Sequence, residues 1–246
     1  MRNILLKPYL KYIQQVEKRL IFLEDTFRLS TKFPLFSPDE GMAFNKQFYK
    51  TAMVTDIINH IQFDNIVETG CWLGFSCGYM AYHYKLPIYT CEINPLFFDV
   101  AQKRLSGLPK IELDNQNSVD FISSLVKKKI NLTHSLFYLD AHWYDYLPLA
   151  DELQIITTHW KDFVIIIDDF QVPNDKGYLY DDYGPKKKLT LEILLPFIKK
   201  FDLKIFYPST PSDKETGYKQ GCIVVTNSKN AESLRPIGLL RESTTF

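Results

Sequence analysis

The sequence has no excess of charge of either sign. Its 246 residues contain 29 Lys plus Arg and 29 Asp plus Glu, so the formal net charge at pH 7 is zero. Nucleic acids and anionic membranes concentrate proteins with basic surfaces. We therefore expect neither of them to be the main partner of this chain.

The sequence also lacks long apolar runs and paired cysteines. Lys7, Pro8 and Lys11 interrupt the start before an apolar run reaches the length of a signal sequence. No segment approaches the roughly 20 apolar residues of a membrane span. The four cysteines form no C-x-x-C pair, which favours reduced thiols in the core. These absences predict a soluble, cytoplasmic protein.

What the sequence does contain is an alternation of strand and helix patterns. With 46% hydrophobic residues, the chain can bury one sizeable core. The pattern predicts an α/β fold with a Rossmann-like, doubly wound, mostly parallel seven-stranded sheet, which binds ligands at the carboxyl ends of its strands. Strands are predicted near residues 65–69, 87–92, 110–113, 135–139, 163–168, 203–207 and 221–226. Helices are predicted near residues 46–61, 75–85, 95–106, 118–128, 147–159 and 189–201.

A helical extension is predicted ahead of the sheet. Apolar residues recur at steps of three and four over residues 9–28, which is typical of an amphipathic helix. We expect an N-terminal helical extension over 1–44, the main domain over 45–228 and a C-terminal tail over 229–246. The helix covers the main domain or, alternatively, forms the seam of a homodimer, although two heptads are short for a coiled coil.

A glycine turn connects the first predicted strand to the next helix. Residues 66–76 read I-V-E-T-G-C-W-L-G-F-S, with Gly70 and Gly74 where the backbone must bend tightly or approach a ligand. The next strand ends in Glu92, whose carboxylate can accept hydrogen bonds from both hydroxyls of a ribose. Trp72 replaces the middle glycine of a dinucleotide-binding turn. The pattern therefore favours a nucleotide-type cofactor other than NAD, and a purely structural turn is the alternative.

Carboxylates follow two further buried strands. Asp140 comes directly after the strand 136–139, and Asp168 and Asp169 come at the end of the strand 163–167. If these strands are neighbours, three like charges crowd one edge of the cofactor crevice and need a counter-ion. A hard divalent cation such as Mg²⁺ prefers such oxygen ligands. In the alternative, Asp169 only forms the following turn and Asp168 points to solvent.

Four ordered segments resemble the class I S-adenosylmethionine-dependent methyltransferases. The closest resemblance is to the metal-dependent O-methyltransferases typified by catechol O-methyltransferase, with features of sugar and macrolide O-methyltransferases. The similar segments are E-T-G-C-W-L-G-F-S at 68–76, E-I-N-P at 92–95, L-D-A-H-W-Y-D-Y-L-P at 139–148 and I-I-I-D-D at 165–169. The resemblance covers about residues 60–225. It implies transfer of a methyl group from S-adenosylmethionine to a hydroxyl of a small molecule, a sugar or a polyphenol, with Mg²⁺ or another divalent cation.

The resemblance also implies the residues of the site. The metal ligands would be Asp140, Asp168 and Asp169. The cofactor-binding residues would be Glu68, Gly70, Trp72, Gly74, Ser76, Glu92, Ile93, Asn117, Ser118, Asp140 and Trp143. From the residue types alone, Asn117 and Ser118 have an alternative role, because both can cap the helix that follows.

The sequence departs from the catechol enzymes at the catalytic base. Their lysine, three positions after the metal-binding aspartate, corresponds to Trp143 here. His142 is the best replacement because an imidazole titrates near neutral pH and can accept a proton from a hydroxyl. Tyr144 and Asp145 are further candidates. The missing lysine also leaves open a non-catalytic cofactor-binding or scaffold protein of the same fold.

Overall fold

The computed structural model describes residues 43–128, 133–143, 146–185 and 187–243. This part of the chain forms one sheet with helices on both faces. The strands are β1 Asn65–Thr69, β2 Ile88–Cys91, β3 Ile111–Asp114, β4 His134–Leu139, β5 Asp162–Asp168, β6 Lys204–Pro208, β7 Cys222–Thr226 and β8 Leu240–Glu242. The helices are α1 Phe48–His60, α2 Phe75–Tyr84, α3 Pro95–Leu105, α4 Ser118–Lys127, α5 Leu149–His159, α6 Leu191–Phe201 and α7 Ser228–Leu234.

The strand order in the sheet is β3-β2-β1-β4-β5-β7-β6-β8. The first five strands in this order pair in parallel, whereas β7 is antiparallel to β5 and β6, and β8 is antiparallel to β6. The predicted doubly wound, mostly parallel sheet is confirmed, with eight strands instead of seven. The sequence did not reveal β8 because its three residues, L-R-E, are too few to show a strand pattern.

The core lies in two layers, one on each face of the sheet. Along β4, Leu136 and Tyr138 pack on the layer that contains α1, α2 and α7, whereas Phe137 and Leu139 pack on the layer that contains α4, α5 and α6. Side chains of a strand alternate between faces, and a parallel sheet covered on both faces needs apolar residues at every position. The near-continuous apolar runs of β4 and β5 meet this requirement.

The structure also bears on the predictions about cysteines, membrane spans and the two ends of the chain. The cysteines Cys71, Cys77, Cys91 and Cys222 are free and buried, as predicted. In the described residues, no helix combines the length and the apolar character that a membrane crossing requires. The predicted helix over 9–28 lies outside the described residues, and the domain boundaries stay predictions. Helix α7 and strand β8 lie within or at the edge of the segment predicted as a tail.

The sheet reverses its strand order between β1 and β4. The two strands end side by side, and the N–H of Asp140 donates to the carbonyl of Thr69 at 3.0 Å. Ligands of open α/β sheets bind in the crevice at such a switch point. The glycine turn after β1 and the acid after β4 therefore face the same crevice.

Candidate active site

The turn after β1 requires glycine at two positions. Gly70 has φ +76°, and a Cβ there would lie 2.4 Å from the carbonyl oxygen of Asp140. Gly74 has φ +79° and immediately precedes α2. The left-handed backbone favours glycine, and at Gly70 the neighbouring backbone excludes any side chain as well. The glycine spacing thus follows from the geometry of the turn.

A cleft opens beside this turn, between the ends of β1, β4 and β5. Its lining includes the predicted cofactor residues Glu68, Gly70, Trp72, Ser76 and Asp140. Residues that the sequence analysis did not name also line it, among them Phe44, Asn45, Cys71 and Phe75.

Glu92 organises the turn from the end of β2. Its Oε2 accepts a hydrogen bond from the Trp72 N–H at 2.9 Å, and its Oε1 accepts one from the Asn94 N–H at 2.8 Å. Burial raises the pKa of Glu92, and these backbone donors oppose that rise. A carboxylate has about four acceptor positions, so these backbone donors leave acceptor capacity for a ribose hydroxyl. Ile93, the next residue, is 57% exposed.

Two further predicted cofactor residues are held by local contacts. The hydroxyl of Thr90 donates to Glu68 Oε2 at 2.7 Å, and burial raises the pKa of Glu68 to about 7. Ser76 Oγ accepts a hydrogen bond from the N–H of Phe44 at 3.2 Å. This contact connects the short turn Ala43–Lys46, which precedes α1, to the wall of the cleft.

The predicted adenine contacts lie around the start of α4. Asn117 is the N-cap of this helix and accepts the N–H of Asp120 at 2.9 Å, so the capping role is observed. Ser118 is buried, and its hydroxyl lies 3.4 Å from the hydroxyl of Tyr146. Trp143 is 61% exposed and exchanges two backbone hydrogen bonds with Tyr146. Contact of these residues with adenine stays a prediction.

Asp140, which lines the cleft, forms a group with His142 and Asp169. One ligand atom from each lies within 4.8 Å of the others. His142 Nε2 is 3.2 Å from the main-chain oxygen of Asp168 and 3.8 Å from Asp140 Oδ1. Within the described residues, His142 Nδ1 and Asp169 Oδ1 are buried without a hydrogen-bond partner. Unpaired buried polar atoms are uncommon and indicate a missing partner.

The charges of this group are strongly perturbed. Burial lowers the pKa of His142 to about 4, so its imidazole is neutral at neutral pH. Desolvation and the charges of Asp169 and Asp168 raise the pKa of Asp140 above its usual range, although about one-third of its side chain is exposed. The pKa of Asp169 is raised in the same way, by burial and then by Asp168. A neutral imidazole with two carboxylates is a donor set that fits a divalent cation.

Asp168 is not part of this group. Its carboxylate forms a buried ion pair with Lys50 Nζ and accepts a hydrogen bond from the hydroxyl of Tyr138. The Asp168 side chain therefore points into the protein. This contradicts the turn-forming alternative, in which it points to solvent. The three predicted metal ligands are near one another, but His142, predicted as a base, joins Asp140 and Asp169 in the place where Asp168 was expected. Tyr144 lies outside the described residues.

The sequence analysis missed Lys50 and Tyr138, although one signal was present. Lys50, Met53, Val54 and Ile57 are the buried residues of α1, and their spacing puts the lysine on the apolar face. A lysine on such a face needs a buried partner. Tyr138 gave no comparable signal, because a tyrosine within a buried strand is ordinary core.

Comparisons with known proteins show a shared fold. No family model matches the chain, and no curated protein matches it. An O-methyltransferase from Bacillus cereus in complex with SAH is similar at TM-score 0.55 and 16% identity, over 84% of this chain and 90% of that one. TomG from Streptomyces achromogenes, an O-methyltransferase involved in tomaymycin synthesis and solved with SAM, is similar at TM-score 0.52 and 15% identity, over 83% and 88% of the two chains. The resemblance found in the sequence is confirmed at the level of the fold.

Proposed function

We propose that the protein is an S-adenosylmethionine-dependent O-methyltransferase that methylates a hydroxyl of a small molecule. The observation that carries the proposal is that one cleft is lined both by the glycine turn and by Asp140, a member of the Asp140–His142–Asp169 group. The turn suits a nucleoside, and the acidic group suits a hydroxyl that must lose a proton.

The cofactor half of the site uses the turn and Glu92. The absence of a side chain at Gly70 lets the ends of β1 and β4 come together, and Glu92 keeps acceptor positions for the ribose. When bound, S-adenosylmethionine supplies an already activated methyl group. The remaining task of the chain is to align the acceptor oxygen with that methyl and to remove its proton.

Two side chains are suited to accept the proton. Asp140 lines the cleft and its side chain is about one-third exposed, so its carboxylate can reach an acceptor hydroxyl and take its proton. His142 is neutral and buried directly behind it. In this arrangement Asp140 contacts the acceptor hydroxyl and takes its proton. His142 shares that proton with Asp140 or orients it. Tyr144 remains a predicted contributor.

A divalent cation fits the same group. Asp140, His142 and Asp169 would hold it, and it would satisfy the unpaired atoms of His142 and Asp169. When bound, such a cation lowers the pKa of a nearby hydroxyl. The imidazole makes Mn²⁺ as suitable as the Mg²⁺ expected from three carboxylates. The acceptor, a sugar or a polyphenol, stays a prediction.

The test is methyl transfer from labelled S-adenosylmethionine to a panel of sugars and polyphenols, with Mn²⁺, with Mg²⁺ and with chelator. Asp140→Asn keeps the size of the side chain and removes its charge, so we expect turnover to fall about 100-fold or more while S-adenosylhomocysteine affinity changes little. His142→Gln tests the imidazole in the same assay. Wild-type activity in the Asp140 variant would remove the proposed role of this residue. Cofactor binding without transfer to any acceptor would favour the scaffold alternative.

A further inference from the structure

Lys50 supplies a positive charge at the acidic end of the cleft. Its side chain is 2% exposed and that of Asp168 is 1% exposed, and the two form an ion pair. Tyr138 donates its hydroxyl to the second carboxylate oxygen, and Asn45 Nδ2 lies 3.5 Å from the same oxygen. Side chains of this protein therefore provide both the ion pair and the hydrogen bond of the Asp168 carboxylate.

The surroundings keep Lys50 charged. Burial alone would lower its pKa, yet the net shift is upward, mainly because of the charge of Asp168, with which it is paired. A buried ion pair is maintained only when the geometry is good and the remaining polar atoms are satisfied. Tyr138 and the N–H of Asp169, which donates to Asp168 Oδ1 at 3.0 Å, meet that condition.

The fold also fixes where Lys50 lies. The carboxylate of Glu215, in the loop between β6 and β7, accepts the N–H groups of Tyr49 and Lys50 at 3.0 Å each. Gly217 in the same loop has φ +63°, and a Cβ there would lie 2.3 Å from the carbonyl oxygen of Asn45. The start of α1 is thus clamped, and the Lys50 side chain is directed from a fixed backbone.

We infer that Lys50 is a positioning residue that takes the place of a metal cation beside Asp168. Its ammonium neutralises that carboxylate and withholds it from the ligand set, so that a divalent cation has only Asp140, His142 and Asp169 as ligands. The inference rests on the proposed function for the role of the site. Its test measures metal binding and folding and needs no turnover.

The experiment compares wild type, Lys50→Met, Lys50→Arg and the double variant Lys50→Met with Asp168→Asn. Mn²⁺ binding is measured by calorimetry, and thermal unfolding is followed with Mn²⁺ and with chelator. In Lys50→Met the freed Asp168 becomes an additional ligand, so we expect Mn²⁺ affinity to rise about tenfold or more. Lys50→Arg retains the charge and should bind Mn²⁺ as wild type does. The double variant lacks both charges and should not show the increase in Mn²⁺ affinity.

Folding provides a second readout, because an unpaired buried carboxylate destabilises the protein. If Lys50→Met is unfolded in chelator, we expect Mn²⁺ to restore its circular dichroism, and the double variant to fold without metal. Mn²⁺ affinity in folded Lys50→Met equal to or below that of wild type would overturn the inference, and so would failure of Mn²⁺ to restore an unfolded variant. S-adenosylhomocysteine binding by wild type, measured in parallel, reports on the proposed function separately.

Discussion

At the scale of single residues, Glu152 shows how burial sets the chemistry of a side chain. It lies on α5 with no exposed surface, beneath the predicted adenine end of the site. Burial raises its pKa to about 7, and both of its carboxylate oxygens are buried without a hydrogen-bond partner among the described residues. Glu152 is therefore protonated over much of the range in which an exposed glutamate is charged.

This pKa predicts a pH-dependent stability. The folded protein binds a proton at Glu152 more tightly than the unfolded chain, so its contribution is fully present below pH 4.5 and is lost as pH rises to about 7. Glu152→Gln keeps a neutral side chain at every pH. We expect the free energy of unfolding of wild type, relative to this variant, to fall by up to about 3 kcal/mol between pH 4.5 and 8.

Urea unfolding at several pH values measures this difference. Glu232→Gln is the control because the Glu232 side chain is 73% exposed. Parallel pH curves for wild type and Glu152→Gln would show that Glu152 is ionised in the folded protein, contrary to this expectation.

At the scale of elements, the position of Lys50 depends on α1, the helix that precedes the first strand of the sheet. Helix α1 has no N-cap side chain of its own, and Glu215 supplies the acceptors for its first N–H groups. Thr216 adds to this junction by accepting the N–H of Phe48 at 2.9 Å and donating to the carbonyl of Lys46 at 2.9 Å. The loop between β6 and β7 thereby positions Lys50.

Glu215→Ala tests how much these hydrogen bonds to the start of α1 stabilise the protein. The first N–H groups of α1 lose their acceptors, and loss of an N-terminal cap typically costs about 0.5–2 kcal/mol. We expect urea unfolding to show a decrease of this size, whereas Glu232→Ala, at an exposed carboxylate on α7, should change stability little. No loss in Glu215→Ala would mean that water or other groups satisfy the helix start equally well.

At the scale of the whole molecule, the sequence predicted the features that depend on local patterns, namely the strands, the acids at their ends and the glycine turn. The strands predicted at 135–139 and 163–168 are observed as His134–Leu139 and Asp162–Asp168. Their apolar runs and terminal acids are local signals, and the strand pairing puts those acids at one edge of the sheet. The glycine turn was predicted for the same reason, because its backbone geometry permits few other residues.

Long-range pairing was beyond prediction from local patterns. Lys50 and Asp168 are 118 positions apart, and nothing near Asp168 indicates that a lysine satisfies its charge. Asp168 is absent from the group of Asp140, His142 and Asp169 because its carboxylate is paired with Lys50. The short β8 was missed because edge strands of three residues carry too little pattern.

The proposed function depends on binding of the adenosyl cofactor in this cleft, and calorimetric titration with S-adenosylhomocysteine measures that binding. We predict that wild type binds the ligand with and without chelator. Glu92→Gln should bind about tenfold more weakly or worse, because hydrogen bonds to a charged group are worth about 1.5–3 kcal/mol. Circular dichroism checks that both proteins are folded. Absence of binding to folded wild type would contradict the proposed function, and equal binding by the variant would remove Glu92 from the site.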